Sequence, residues 1–163
     1  MTHIDVRSAR PDEWAAVGGL RWDSLLEFGG VPDDDRAVFA ARFAEWAASN
    51  GATHECIVAV DADGVVVGMA WLARTLRVPS ARSFHRASAD LQCAYVVPGL
   101  RNDGVGGRLI DAVVAHARSL GVERVTVHSS PRAVGVYERH GFASEARLLH
   151  RPVEHDDIVT ARD

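Results

Sequence analysis

The chain has 163 residues, with 18 lysines and arginines against 22 aspartates and glutamates, a net charge of −4. That is about one domain, long enough to bury a core without disulfides or a structural metal, and its acidic balance argues against a general nucleic-acid binder. Every one of the 18 is arginine, which excludes a Schiff-base lysine and a Walker A lysine.

Residues 3–8 predict a short strand. Pro11, followed by Asp12 and Glu13, opens a helix that runs to about Phe28 and stops at Gly29-Gly30. Proline suits a first helical position, and acids suit the positive end of the helix dipole. Asp33-Asp34-Asp35 reads as the cap and first turn of a second helix, whose Phe39, Phe43 and Trp46 fall on one face. Residues 56–60 and 65–72 are apolar, β-branched runs around Asp61-Ala62-Asp63-Gly64, a hairpin pattern. Residues 77–87 predict a loop containing Pro79, with Arg74, Arg77, Arg82 and Arg86 in or near it. Residues 91–97 predict a strand ended by Pro98-Gly99.

A helix is then expected over 104–120, with Leu109, Ile110, Val113, Val114, Ala117 and Leu120 as its apolar stripe and Gly121 as its stop. Residues 125–128 predict a short strand, 131–140 a short helix and 143–151 a last strand. The polar tail spans 152–163. The order gives one α/β (α+β) domain over 1–151 with no internal linker. Cys56 and Cys93 lie far apart in apolar runs and read as buried free thiols. No apolar run reaches 18 residues, and the opening M-T-H-I-D-V-R has no apolar signal segment. The expectation is a cytoplasmic protein without a membrane partner or a metal site.

The informative stretch is the strand–loop–helix at 91–120. Gly104, Gly106 and Gly107 fall where the strand hands over to the helix. Glycine lets backbone N–H groups approach a ligand, and a helix N-terminus adds unpaired donors and partial positive charge. Together they form an anion site suited to a pyrophosphate, with Arg101 and Arg108 adding charge on either side. Leu109 occupies the place of the third glycine in G-x-G-x-x-G, and G-K-[ST] is missing. A pyrophosphate cofactor other than NAD or a nucleoside triphosphate is therefore favoured.

Arg101-Asn102-Asp103-Gly104-Val105-Gly106 resembles the [QR]-x-x-G-x-[GA] signature of the GCN5-related N-acetyltransferases, and the preceding A-Y-V-V-P matches that family's strand and proline. S-P-R-A-V-G-V-Y-E-R-H-G-F at 130–142 is similar to the family's second signature, with Ala133, Tyr137, Gly141 and Phe142 in register. The resemblance covers 54–148. It implies a mixed, mostly antiparallel sheet splayed between its fourth and fifth strands, with acetyl-CoA as co-substrate in the gap. The pantetheine arm would pair with the backbone of Tyr95, Val96 and Val97. The pyrophosphate would bind the loop of Asn102, Asp103, Gly104, Val105, Gly106 and Gly107, flanked by Arg101 and Arg108. Ser130 stands where the family usually has an asparagine that bonds pantetheine or orders the loop; serine is shorter. Ala133 follows it in the same signature.

The resemblance further implies direct transfer of an acetyl group to a primary amine of a small molecule or peptide. Tyr137 matches the family's general acid, and the oxyanion donor would be the N–H of Val96 or Val97. Asp90 falls where the histone-type branch of the family keeps a base. Gln92, two residues on and on the same face of a regular strand, could hold a water. His85 and His128 are alternative bases by their ordinary pKa. Candidates for the acceptor lining are Trp22, Glu27, Phe28, Trp71 and Phe84. His128-Ser129-Ser130 lacks the G-x-S-x-G elbow of a serine hydrolase. Two other readings remain open: a CoA-binding sensor or interaction domain without catalysis, and a transferase of a longer acyl group. A homodimer is compatible with the resemblance.

Overall fold

A computed structural model describes residues 3–153. Five strands form one sheet in chain order: β1 (Ile4–Ser8), β2 (His54–Asp61), β3 (Val66–Arg77), β4 (Arg86–Val96) and β5 (Val125–Val127). The first three pairings are antiparallel and β4–β5 is parallel. Helices α1 (Trp14–Glu27) and α2 (Arg36–Ser49) follow β1, α3 (Val105–Ser119) links β4 to β5, and α4 (Val134–Arg139) follows β5.

β2 explains why its sequence is continuously apolar. Ile57 and Ala59 pack into one core with Leu109, Ile110 and Val113 of α3. Cys56, Val58 and Val60 pack into the other with Val17 and Leu20 of α1. A strand covered on both faces needs no polar alternation. α3 buries Val105, Leu109, Ile110, Val113 and Ala117, close to the expected stripe. Asp35 caps α2, accepting from Val38 N–H at 2.9 Å. The helices approach closely at Gly18, where a Cβ would stand 2.9 Å from Phe43 Cβ. That contact brings the Phe39, Phe43 and Trp46 stripe over β3, where Phe43 and Trp46 lie 5.6 and 5.4 Å from the Trp71 ring.

Two expectations need correction. β4 begins at Arg86, not Leu91, because β3 extends to Arg77 and pairs with residues 86–90. The segment 86–90 alternates small and polar residues and carries no apolar run of its own. No strand forms over 143–151; a turn with Leu148 N–H donating to Glu145 carbonyl occupies part of it, and Leu148 and Leu149 are exposed. The tail from 154 onward lies outside the described residues. Among the described residues no helix is long and apolar enough to cross a membrane.

Candidate active site

β5 pairs with β4 only over residues 89–91, while β4 runs on to Val96. The sheet is therefore splayed beyond Leu91. The register decides which backbone groups face the gap. Val97 N–H donates to Val67 carbonyl at 3.0 Å, and alternate residues of an antiparallel ladder point their groups the same way. Tyr95 and Val97 thus turn towards β3, and Ala94 and Val96 turn into the gap. This corrects two expectations: Val97 N–H is not free for an oxyanion, and the exposed pairing edge belongs to Ala94 and Val96 rather than to Tyr95 and Val97. The signal for Ala94 lies in strand parity, which needs a known register.

The loop after β4 turns sharply. Asn102 and Gly104 have φ of 68° and 78°, a region that glycine enters freely. The first bond of α3 runs from Arg108 N–H to Gly104 carbonyl at 3.1 Å. The backbone N–H groups of residues 102–107 have no protein acceptor. Gly106 is open on its Cβ side, 4.0 Å from Val96 Cγ2, whereas Gly107 packs against the His140 ring. His140 is itself held by Asp111 at 2.7 Å. The loop has the geometry of an anion cradle at the start of a 15-residue helix.

Neither flanking arginine points its charge into that cradle. Arg108 donates to Ile4 carbonyl at 2.8 Å. Arg101 makes two bonds to the Glu27 carboxylate, at 2.5 and 2.7 Å, and its Nε donates to Val96 carbonyl at 2.8 Å. The Tyr95 hydroxyl donates to the same carboxylate at 3.0 Å. Arg101 holds the Glu27 carboxyl below its ordinary range, with Tyr95 helping against the opposing effect of burial. Glu27, expected in the acceptor lining, instead clamps the end of α1 to the start of the anion loop.

Tyr137 is buried on α4, edge-on to Phe142 at 5.4 Å. Burial pushes its phenol up, and the Cys93 thiol adds to the rise. The group stays protonated. Cys93 is a free thiol, as is Cys56, and burial raises both. Ser130 accepts through its carbonyl from Ala133 N–H at 2.9 Å, and Ala133 is the capping residue just before α4. The Ser130 side chain has no protein partner.

The structure separates Asp90 from Gln92. Trp71 pairs with Cys93 and Leu72 with Leu91, so Gln92 is the extra residue of a β-bulge. Asp90 lies inside β4 and accepts from the Thr126 hydroxyl at 3.1 Å. Gln92 lines a small cavity with Arg21, Trp46, Trp71 and Cys93. His85 and Phe84 are exposed together on the β3–β4 loop, at the far end of these strands, and Phe28 is 74% exposed. His128 stacks on His150. Trp22 and Trp71 are the proposed lining residues that do border cavities on the α1–α2 side. Arg21, in the same cavities, is passed over by sequence reasoning because a surface arginine on a helix carries no pattern of its own. No group of three metal-binding side chains occurs among the described residues.

The description "Acetyltransferase (GNAT) family" matches residues 14–142. Glucosamine 6-phosphate N-acetyltransferase 1 of Oryza sativa is 30% identical over 139 residues, covering 83% of this chain and 81% of that protein. A mycothiol acetyltransferase of Propionibacterium freudenreichii is 33% identical over 90 residues, 53% of this chain; that stretch is only 27% of the relative's length. Among solved structures, a predicted acetyltransferase of Clostridium acetobutylicum, determined with acetyl-CoA, superposes with a TM-score of 0.75. It is 16% identical, with 92% of this chain and 96% of that one covered. Fold, signatures and relatives agree, and this chain belongs to the GNAT acetyltransferase family.

Proposed function

We propose that this chain is an acetyl-CoA-dependent N-acetyltransferase that passes an acetyl group directly to a primary amine of a small molecule. The observation that carries this reading is the set of unpaired N–H groups over residues 102–107, placed beside the open edge of Ala94 and Val96. The small-molecule acceptors in the names of the rice and Propionibacterium relatives support that class of amine. Acetyl-CoA supplies the activated thioester. The loop N–H groups hold the pyrophosphate, and Ala94 and Val96 offer strand-like pairing to the pantetheine arm.

Val96 N–H is the donor for the thioester oxygen, since its own carbonyl is fixed by Arg101 and its N–H faces the gap. The neutral amine nitrogen attacks the thioester carbon; the C–N bond forms as the C–S bond breaks. Tyr137 gives its phenolic proton to the departing sulfur, and the proton shed by the nitrogen restores the phenol. The substrate ammonium has lost its first proton to solvent before attack.

The test is release of the CoA thiol in the presence of acetyl-CoA and a panel of primary amines. Amine-dependent thiol release supports the reading. Tight acetyl-CoA binding with no amine-dependent release from any of them would favour a sensor.

A further inference from the structure

A cavity of about 140 Å³ lies beside β4 on the α1–α2 side, walled by Phe43, Trp46 and His54. Arg21, Trp71, Gln92 and Cys93 complete it. A larger groove of about 530 Å³ shares Arg21, Phe43 and Trp46 with it and runs on past Trp22, Leu25 and Phe39. Sharing that wall, the two make up a trough whose smaller part touches the β4 bulge at Gln92.

Its chemistry is uneven along its length. Beside the bulge it is rich in hydrogen-bond donors. Trp71 is 4% exposed, and its indole N–H is buried with no acceptor. An unsatisfied buried donor is uncommon in native proteins and calls for a partner. Gln92 is exposed at the bulge and its amide has no protein partner. Arg21 pairs with no carboxylate among the described residues, unlike Arg7, Arg36, Arg42, Arg86 and Arg101. Gln92 and Cys93 directly follow Leu91, the last β4 residue paired with β5, so the donor-rich end of the trough lies beside the splay. Further out the walls are mostly aromatic and aliphatic, with Asp33 and the Asp34–Arg42 ion pair among them. Trp46 is 40% exposed there although its ring stacks in a cluster.

We infer that the acceptor is an α-amino carboxylate with an aromatic or large apolar side chain, its carboxylate bound by Arg21, Gln92 and the Trp71 indole N–H. The inference rests on the transferase reading above and names the substrate class of that same site. The amine must lie near the gap, and the anion-binding donors are there too. The acceptor's negative group must then sit next to its amine, as in an amino acid, and not at the far end of the molecule. The apolar groove receives the side chain, flat against Phe43 and Trp46. Acetylation removes the ammonium charge and leaves the carboxylate, so Arg21 and its neighbours contact substrate and product alike.

The experiment uses the full chain with acetyl-CoA. Thiol release is followed with L-phenylalanine, L-tyrosine and L-tryptophan, with 2-phenylethylamine, which lacks the carboxylate, and with L-alanine, which lacks the ring. Expected is a kcat/KM at least tenfold higher for the aromatic amino acids than for either truncated amine. Arg21→Gln should remove the preference over 2-phenylethylamine, mainly through KM. Trp46→Ala should remove the preference over L-alanine. Arg21 is exposed, so Arg21→Gln should keep the thermal midpoint within a few degrees; Trp46→Ala loses ring contacts with Phe43 and Trp71 and melts lower, so its preference is read as a kcat/KM ratio below its melting range. Independently of turnover, L-phenylalanine should change tryptophan emission excited at 295 nm in the wild type and not in Arg21→Gln. Equal or faster turnover of 2-phenylethylamine overturns the inference. So does a preference that survives Arg21→Gln, or the absence of both turnover and an emission change with the aromatic amino acids. If acetyl-CoA still raises the unfolding midpoint in those cases and another primary amine of the panel releases thiol, the transferase reading stands without it. If acetyl-CoA raises nothing, both readings fall.

Discussion

Gly104→Ala tests the anion loop at its most constrained point. Gly104 has φ 78° and ψ 0° and stands immediately before α3. A Cβ built there meets nothing within 4 Å, so no clash contributes to the cost. What remains is the left-handed backbone, worth about 1–2 kcal/mol for an L-residue. For 163 residues that is a fall of about 3–6 °C in Tm. The same strain turns the loop donors away from a common point, so the gain from acetyl-CoA should shrink as well. In the wild type, ligand at 100-fold above Kd adds about 2.7 kcal/mol, or roughly 8 °C. Gly106→Ala is the contrast. Gly106 is helical and open on its Cβ side, and the signature it matches accepts alanine. It should raise Tm by about 1–3 °C, from about 0.4–1 kcal/mol, and keep the acetyl-CoA response. Circular dichroism melts with and without acetyl-CoA read both effects. A Gly104→Ala protein with unchanged Tm and a full acetyl-CoA response would refute the argument.

Tyr137→Phe should lower kcat by about 100-fold or more and leave the acetyl-CoA-induced rise in Tm intact, because the hydroxyl acts on the sulfur and not on the phosphates; parallel loss of binding would contradict that role. Leu109→Ala removes a side chain that is 1% exposed between α3 and the sheet. Urea unfolding should show a loss of about 3–5 kcal/mol, and a loss below 1 kcal/mol would mean the core is drawn wrongly. Acid stability should respond to Glu13. Arg7 bonds it at 2.9 and 2.6 Å and holds its carboxyl below the ordinary range, helped by Arg10 N–H against burial. A depressed carboxyl contributes stability above its unfolded pKa, lost as pH falls through the folded value. Glu13→Gln should therefore lower Tm at neutral pH, and the gap to wild type should close as pH falls through and below the ordinary carboxylate range.

The elements whose side chains serve one environment are legible in the sequence. The α3 stripe, the aspartate cap of α2 and the doubly apolar β2 are of this kind, and so are the glycines of the anion loop. What escapes depends on contacts between distant residues. The start of β4 is set by pairing with β3, because Ala87, Ser88 and Ala89 carry little strand signal alone. The bulge at Gln92 separates two residues that regular alternation would place together. The clamp of Glu27 on Arg101 spans 74 positions, and it turns a charge expected at the phosphates into a strut between α1 and β4. Parity, too, needs a register: the choice of Ala94 and Val96 over Tyr95 and Val97 follows from the single bond between Val97 and Val67.

The central claim is that the loop at 102–107 and the adjoining strand edge bind acetyl-CoA. Isothermal titration of the wild-type protein with acetyl-CoA, CoA and NAD measures this directly. Saturable binding of one acetyl-CoA per chain is expected, with CoA binding at the same site and NAD not at all. A folded protein that gives no saturable heat with either CoA species would contradict the site, and the proposed transferase activity with it.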